Sequence, residues 1–237
     1  MASIETPSVL RVTDFDRTLY DTDAGFRALV DVAGRDLPGI EIHVDKKDML
    51  ATEARFREEG RTFQSDAYFR YHGMSEDNIF KVYQTFSGIG EPGLLLPDGK
   101  RYIDRVNAAN NEHLFILTSG VRISQRAKLG SAGLLGHGIA TPHKVVHSHE
   151  KGKIVASWKN SQGLYVAPGG YGIPGCNLSV LVDDRGDAFE GIDPETGLAI
   201  MIDRGEQGKK GKKIVPPLGT LVVQSLDDIP VPYKKAA

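Results

Sequence analysis

Apolar positions along this chain fall into two kinds of pattern. Short apolar-rich runs occur at 9–12, 114–117, 178–182, 198–202 and 218–223, with a smaller one at 144–146. Runs this short, rich in β-branched residues, predict buried strands. Between them, apolar residues return every three or four positions. Tyr102, Ile103 and Val106 mark such a stretch over 99–111, and others cover 123–132 and 151–159, where Ile154, Val155 and Trp158 share a face. That spacing predicts helices with one buried face. Strands alternating with helices imply an α/β fold: a Rossmann-like, mainly parallel sheet with helices on both faces.

One long segment breaks the alternation. After residue 20, Phe26, Leu29, Val30, Ala33 and Leu37 recur at helical spacing, and Pro38-Gly39 closes that helix. Further helical stretches follow at about 45–59, 64–71 and 75–86. Ser75 is a sound N-cap for the last, with Glu76 and Asp77 in its first turn. The pattern predicts an α-helical insert after the first strand, returning to the main body through Gly-Pro-rich joints at 88–93 and 97–99. The expected division is residues 1–20 and 98–237 as the α/β core and 21–97 as the insert, with 1–8 a frayed lead-in.

Chemistry collects where the apolar runs stop. The first ends at Asp14-Phe15-Asp16-Arg17-Thr18, the second at Thr118-Ser119-Gly120, and a later one at Asp183-Asp184-Arg185-Gly186-Asp187. Lys151 opens a helix between the last two. Two like charges 4 Å apart repel by roughly 4 kcal/mol at an effective dielectric of 20. Paired acids at a buried strand end therefore call for a cation, a shared proton or catalysis. Taken singly, each feature has an ordinary reading. Asp and Thr form turns, Asp183-Asp184 can cap a helix, and Thr118 and Lys151 can be plain strand-end and surface residues. Their conjunction favours a site, because an open parallel sheet binds ligands beyond the carboxyl ends of its strands.

Composition narrows the classes. The 237 residues suit one large domain or a domain with an insertion. The net charge of −2 gives no field for nucleic acid, and no apolar run reaches membrane-spanning length. Cys176 is the single cysteine, so no intramolecular disulfide forms and a reducing, cytoplasmic setting is expected.

The order Asp-Phe-Asp-Arg-Thr, Leu-Thr-Ser-Gly, Lys-Gly-Lys-Ile and Val-Asp-Asp-Arg-Gly-Asp resembles the four motifs of the haloacid dehalogenase-like hydrolase superfamily. The insert between the first two motifs resembles that superfamily's helical cap. The resemblance implies a magnesium-dependent phosphatase acting on a small phosphorylated metabolite through an aspartyl-phosphate. Asp14 would be the nucleophile, and Asp16 would protonate the leaving oxygen and later deprotonate water. Thr18 would hold Asp16 and the turn, and would join Thr118, Ser119, Gly120 and Lys151 around the phosphoryl group. Lys151 would neutralise charge on that group and on Asp14. Asp183 would complete a Mg2+ site with Asp14 and the backbone carbonyl of Asp16. Asp187 would bind a metal-bound water or orient Lys151, and Asp184 is a further possible ligand. All-oxygen ligation beside phosphate points to magnesium.

Asp16 bears on the subclass: a carbon–halogen hydrolase of this superfamily needs no second acid, whereas a phosphate leaving group does. A phosphomutase would use the same acids, and a non-catalytic binding protein on the same fold is a third reading. Arg55, Arg57, Arg61, Arg70, Tyr68, Tyr71 and His72 of the insert are candidates for substrate contact, though each also fits an ordinary charged helical surface.

Other signals carry less. Residues 170–175 spell a dinucleotide fingerprint but precede a strand and contain Pro174, so they read as a loop. His143, His147 and His149 lack a partnering cysteine or spaced carboxylate and read as surface residues. The lysines of 209–213 read as a solvated loop, and Trp158 as core.

Overall fold

The computed structural model describes residues 7–36, 51–52, 55, 64–136, 139–205 and 216–231. In chain order its main elements are β1 (Val9–Thr13), α1 (Thr22–Asp36), α2 (Ser65–Tyr71), α3 (Glu76–Gly88), α4 (Pro97–Ala108), β2 (Glu112–Ser119) and α5 (Arg122–Ser131). There follow β3 (Leu135–Gly136), β4 (Ile139–Ala140), β5 (His143–Val146), α6 (Lys151–Ala156), β6 (Leu178–Asp183), β7 (Gly197–Ile202) and β8 (Leu221–Val223). Contacts divide the chain into two compact units.

The first unit comprises residues 1–20, 95–119 and 141–237. It holds a six-stranded sheet in the order β5-β2-β1-β6-β7-β8, and every pairing is parallel. This is the expected Rossmann-like arrangement. β1 lies between β2 and β6, with Thr13 paired to Ile116 on one side and Val182 on the other. The chain runs outward from β1 to β2 and β5, then returns across β1 to β6, β7 and β8. Strand order thus reverses at β1, the kind of switch point where parallel sheets leave a crevice for ligands.

Alternation along β1 separates two layers. Leu10 and Val12 join Phe115, Leu117 and Leu181 in a core that includes Val155, Trp158 and Tyr165 from and around α6. Arg11 lies on the other face, where its guanidinium sits 5.9 Å from the ring of Tyr102 on α4. Tyr102, Ile103 and Val106 are all buried, as their spacing predicts. The start of α4 differs from expectation. Pro97-Asp98-Gly99 reads as a joint, yet it forms the first helical turn, with Pro97 at its opening position. Proline suits that position because its missing N–H has no partner there in any helix. Gly99 is required by close approach: a Cβ would sit 2.8 Å from the carbonyl oxygen of Leu19.

The second unit comprises residues 21–94 and 120–140. Phe26, Leu29, Val30 and Ala33 of α1 are buried, as are Ile79, Val82, Tyr83 and Phe86 of α3. α3 opens with the Ser75 hydroxyl accepting from the amide of Asn78, 3.4 Å away. α3 packs against both α1 and α5. Contacts therefore group residues 120–140 with the helical insert, whereas the sequence-based division kept them in the α/β body. The helix expected over 45–59 lies largely outside the described residues, with Ala51, Thr52 and Arg55 helical. Pro38-Gly39, Arg57, Arg61 and the lysines of 209–213 also lie outside them. No helix of the described residues is long and apolar enough to cross a membrane.

Candidate active site

β1 delivers Asp14 to the switch point. The amide of Asp14 still donates to Val182, at 2.8 Å, so the ladder to β6 fixes its backbone. The chain then folds into a tight turn over residues 15–20. The amides of Leu19 and Tyr20 both donate to the Phe15 carbonyl at 3.0 Å, and that of Arg17 donates to Tyr20 at 2.9 Å. Arg17 adopts a left-handed backbone, with φ at 63°. Phe15, Leu19 and Tyr20 are fully buried, and the rings of Phe15 and Tyr20 stack with centroids 4.8 Å apart. The apolar residues of this turn anchor it.

Lys151 reaches the same place from α6. Its ammonium is buried and donates to Asp14 Oδ1 and to Asp183 Oδ2, the latter at 2.7 Å. Gly152 allows this approach. A Cβ there would lie 2.4 Å from the carbonyl oxygen of Glu190, so no larger residue lets α6 seat against the chain leaving β6. Asp183 ends β6 with no exposure, and its other oxygen accepts from the amide of Arg185 at 2.9 Å. Asp184 is half-buried beside it. Carboxylate oxygens of Asp14, Asp183 and Asp184 all lie within 4.8 Å of one another.

The Lys151 ammonium therefore bridges two of the three acids, and the Arg185 guanidinium also acts on Asp183 and Asp184. Burial pushes the Asp14 carboxyl up to about 8; Lys151 opposes this, while Asp183 and Asp184 reinforce it. Burial alone would lower Lys151, but Asp14 and Asp183 hold it well above the ordinary lysine value. Three acids with oxygens this close offer the all-oxygen ligand set that suits a hard divalent cation.

The remaining expected residues divide. Thr118 is fully buried in β2, which pairs directly with β1. Ser119 donates to the Ser148 carbonyl at 2.9 Å, and Gly120 follows it out of the strand. Asp16 is half-buried and its carboxylate is not part of the three-acid group. Thr18 is bonded otherwise than expected: its hydroxyl donates to Asp14 Oδ2 at 3.3 Å, steadying that carboxylate. Asp187 also departs from expectation. It is exposed and forked by the Arg185 guanidinium at 3.0 and 2.6 Å, while Lys151 is oriented by Asp14 and Asp183. Among the described residues the acid group holds Asp184 and not Asp187.

Among the insert's candidates, Tyr68 is fully buried, its ring edge-on to Phe26 at 5.2 Å. Arg70 is held between Asp66 at 2.7 Å and Glu76 at 2.5 Å, and Arg55 lies 3.7 Å over the Tyr71 ring. Tyr68 thus serves the helical unit's own packing, and Arg70 is an exposed residue paired to its neighbours. The three histidines form no metal group among the described residues.

Two residues next to the site carry no motif. Arg204, just beyond β7, donates to the carbonyls of Arg17 and Thr18 at 3.3 and 3.1 Å. It also pairs with Asp98 of α4 at 2.9 Å. The only sequence signal was positional: 202–205 places a charged residue after an apolar run, as the site motifs do.

No protein-family model and no curated protein sequence matches the chain. Solved structures do. One is described as a haloacid dehalogenase-like hydrolase from Burkholderia xenovorans LB400. It superposes with a TM-score of 0.59 at 15% identity, covering 94% of this chain and 97% of that one. Another is the HAD-hydrolase YfnB from Bacillus subtilis, bound to magnesium, with a TM-score of 0.52 at 19% identity over 94% and 96% of the two chains. The chain has the haloacid dehalogenase-like fold.

Proposed function

We propose that the protein is a haloacid dehalogenase-like hydrolase, a magnesium-dependent phosphatase that cleaves small phosphate monoesters through an aspartyl-phosphate on Asp14. The observation that carries this reading is the triplet of buried Asp14 and Asp183 with half-buried Asp184, Lys151 bridging the first two. Asp183 and Asp184 both disfavour the ionised form of Asp14, and a bound cation would offset that.

Asp14, Asp183 and Asp184 would hold the cation, which when bound offsets charge on the phosphoryl group and favours the ionised form of Asp14. The chain's own residues do the rest. Thr18 and Lys151 fix the Asp14 carboxylate. One Asp14 oxygen bonds to phosphorus as the ester P–O bond breaks, and Asp16 gives its proton to the departing oxygen. Asp16 then takes a proton from water, whose oxygen bonds to phosphorus as the bond between phosphorus and Asp14 breaks. Inorganic phosphate leaves, and Asp14 is regenerated. Lys151 and the buried Thr118 hydroxyl stabilise the negative charge of the transferring group. The presence of Asp16 supports a phosphate ester over a carbon–halogen bond, whose departing halide needs no proton.

The test is phosphate release from a broad panel of phosphorylated metabolites, with magnesium and with chelator. Release from at least one ester, lost on chelation, is expected; no release from any ester under either condition contradicts the reading.

A further inference from the structure

The turn that carries Asp14 and Asp16 contains a left-handed, non-glycine residue, Arg17. An L-residue takes that backbone at a cost, so its neighbours must hold it there. Arg204 is placed to do so. Its Nε donates to the Arg17 carbonyl at 3.3 Å and its Nη2 to the Thr18 carbonyl at 3.1 Å. The same guanidinium meets Asp98, Nη2 to Oδ1 at 3.1 Å and Nη1 to Oδ2 at 2.9 Å. A rigid planar fork can grip two carbonyls and a carboxylate together; a lysine cannot.

Asp98 is itself firmly held. It accepts from the Ser225 hydroxyl at 3.0 Å and from the amides of Leu226 at 2.9 Å and Gly99 at 3.0 Å. Burial favours its neutral form, but the bonds from Arg204 and Leu226 outweigh this and keep it ionised. At its other end Arg204 follows β7, where Asp203 donates through its amide to Val223 at 2.8 Å. The guanidinium is thus fixed by β7 and by the first turn of α4. Both supports belong to the same compact unit as the acid turn.

We propose that Arg204 is a positioning residue that, anchored by Asp98, locks the turn after Asp14 so that the Asp16 carboxyl is aimed at the leaving oxygen of the ester. This rests on the phosphatase reading above. The carbonyls that Arg204 grips belong to the two residues following Asp16, so losing that grip loosens the chain that carries Asp16. Asp14 keeps its own restraints from Lys151, Thr18 and the β6 ladder.

General acid help matters most when the leaving group is a poor one. The experiment compares Arg204→Ala with the unaltered protein on an alkyl phosphate and on dinitrophenyl phosphate. The expected result is a kcat loss at least ~10-fold larger for the alkyl ester, with KM within about threefold, since an acid of this kind contributes on the order of 10²–10⁴. Arg204→Lys, which keeps a cation beside Asp98 but cannot span both carbonyls, should show the same selective loss while remaining folded. Equal losses on the two esters, or no loss, overturn the proposal. Amide exchange at Leu19 and Tyr20 gives a readout independent of turnover. Faster exchange there in either variant, with β1 still protected, supports the lock, and unchanged exchange overturns it. If the unaltered protein cleaves neither ester, it is the phosphatase reading that fails, and exchange still decides the lock.

Discussion

Arg11 and Asp14 lie three residues apart on and just after β1, and each sits in a buried ionic cluster. Arg11 meets Glu112 of β2 through two parallel bonds, Nε to Oε2 and Nη2 to Oε1, and its Nη2 also donates to the Pro230 carbonyl at 2.8 Å. One cation answers one anion there, with neither side chain exposed. Around Asp14 three acids crowd together, with Lys151 bonded to two of them. A buried ion pair recovers its desolvation cost only when its geometry is good, and two parallel bonds supply that for Arg11. Carboxylate oxygens gathered within 4.8 Å of one another are instead an arrangement that a cation can join. On our reading the first cluster serves the fold and the second a ligand. Burial and ion pairing alone do not tell them apart; the gathering of carboxylate oxygens does.

That contrast can be broken by substitution. Asp183→Asn, which removes an acid from the three-acid cluster, should lower turnover by ~10²-fold or more and weaken magnesium binding by a similar factor, judged by activity and calorimetric titration. Asp187→Asn, outside the three-acid group, should change both by less than about threefold. Glu112→Ala should act the other way round. It leaves Arg11 buried without its anion and should cost about 3–5 kcal/mol in denaturant unfolding, while the folded fraction keeps its turnover.

A smaller effect sharpens the same comparison. The Asp14 carboxyl ordinarily ionises at 3.8 but is raised to about 8 in the folded protein. The folded chain then binds a proton there that the unfolded chain has released. Linkage makes stability fall as pH rises from about 4 to about 8, and no further loss from this group follows above that. Asp14→Asn removes that slope. In chelator, the difference in unfolding free energy between variant and parent should grow in the variant's favour across this window, whereas Glu112→Ala should leave the slope in place.

Much of this was legible in the sequence because it is local. Apolar runs ending in Asp14, Thr118 and Asp183 set the strands and their tips, and a parallel sheet then brings the tips together. Lys151-Gly152 was legible as a motif, and the close approach of α6 to Glu190 supplies its reason. What escaped was decided by partners. Asp184 and Asp187 look alike in sequence; Arg185 and the short 3₁₀ turn Gly186–Phe189 draw Asp187 outward and leave Asp184 with Asp183. Thr18 could have served either acid, and the fold of its turn brings it to Asp14. Arg204 and Asp98 are 106 residues apart, and no spacing rule links them. Tyr68 resembled a ligand-reading residue because helical periodicity alone does not reveal what covers a side chain, and it lies buried against Phe26.

The central claim is that the acid-rich cluster is a catalytic centre built around Asp14. Phosphate release from an aryl phosphate, followed with and without magnesium in the parent and in Asp14→Asn, tests it most directly. The account predicts release by the parent only when magnesium is present, and none above background from an Asp14→Asn protein that is still folded. Full activity in that variant would contradict it.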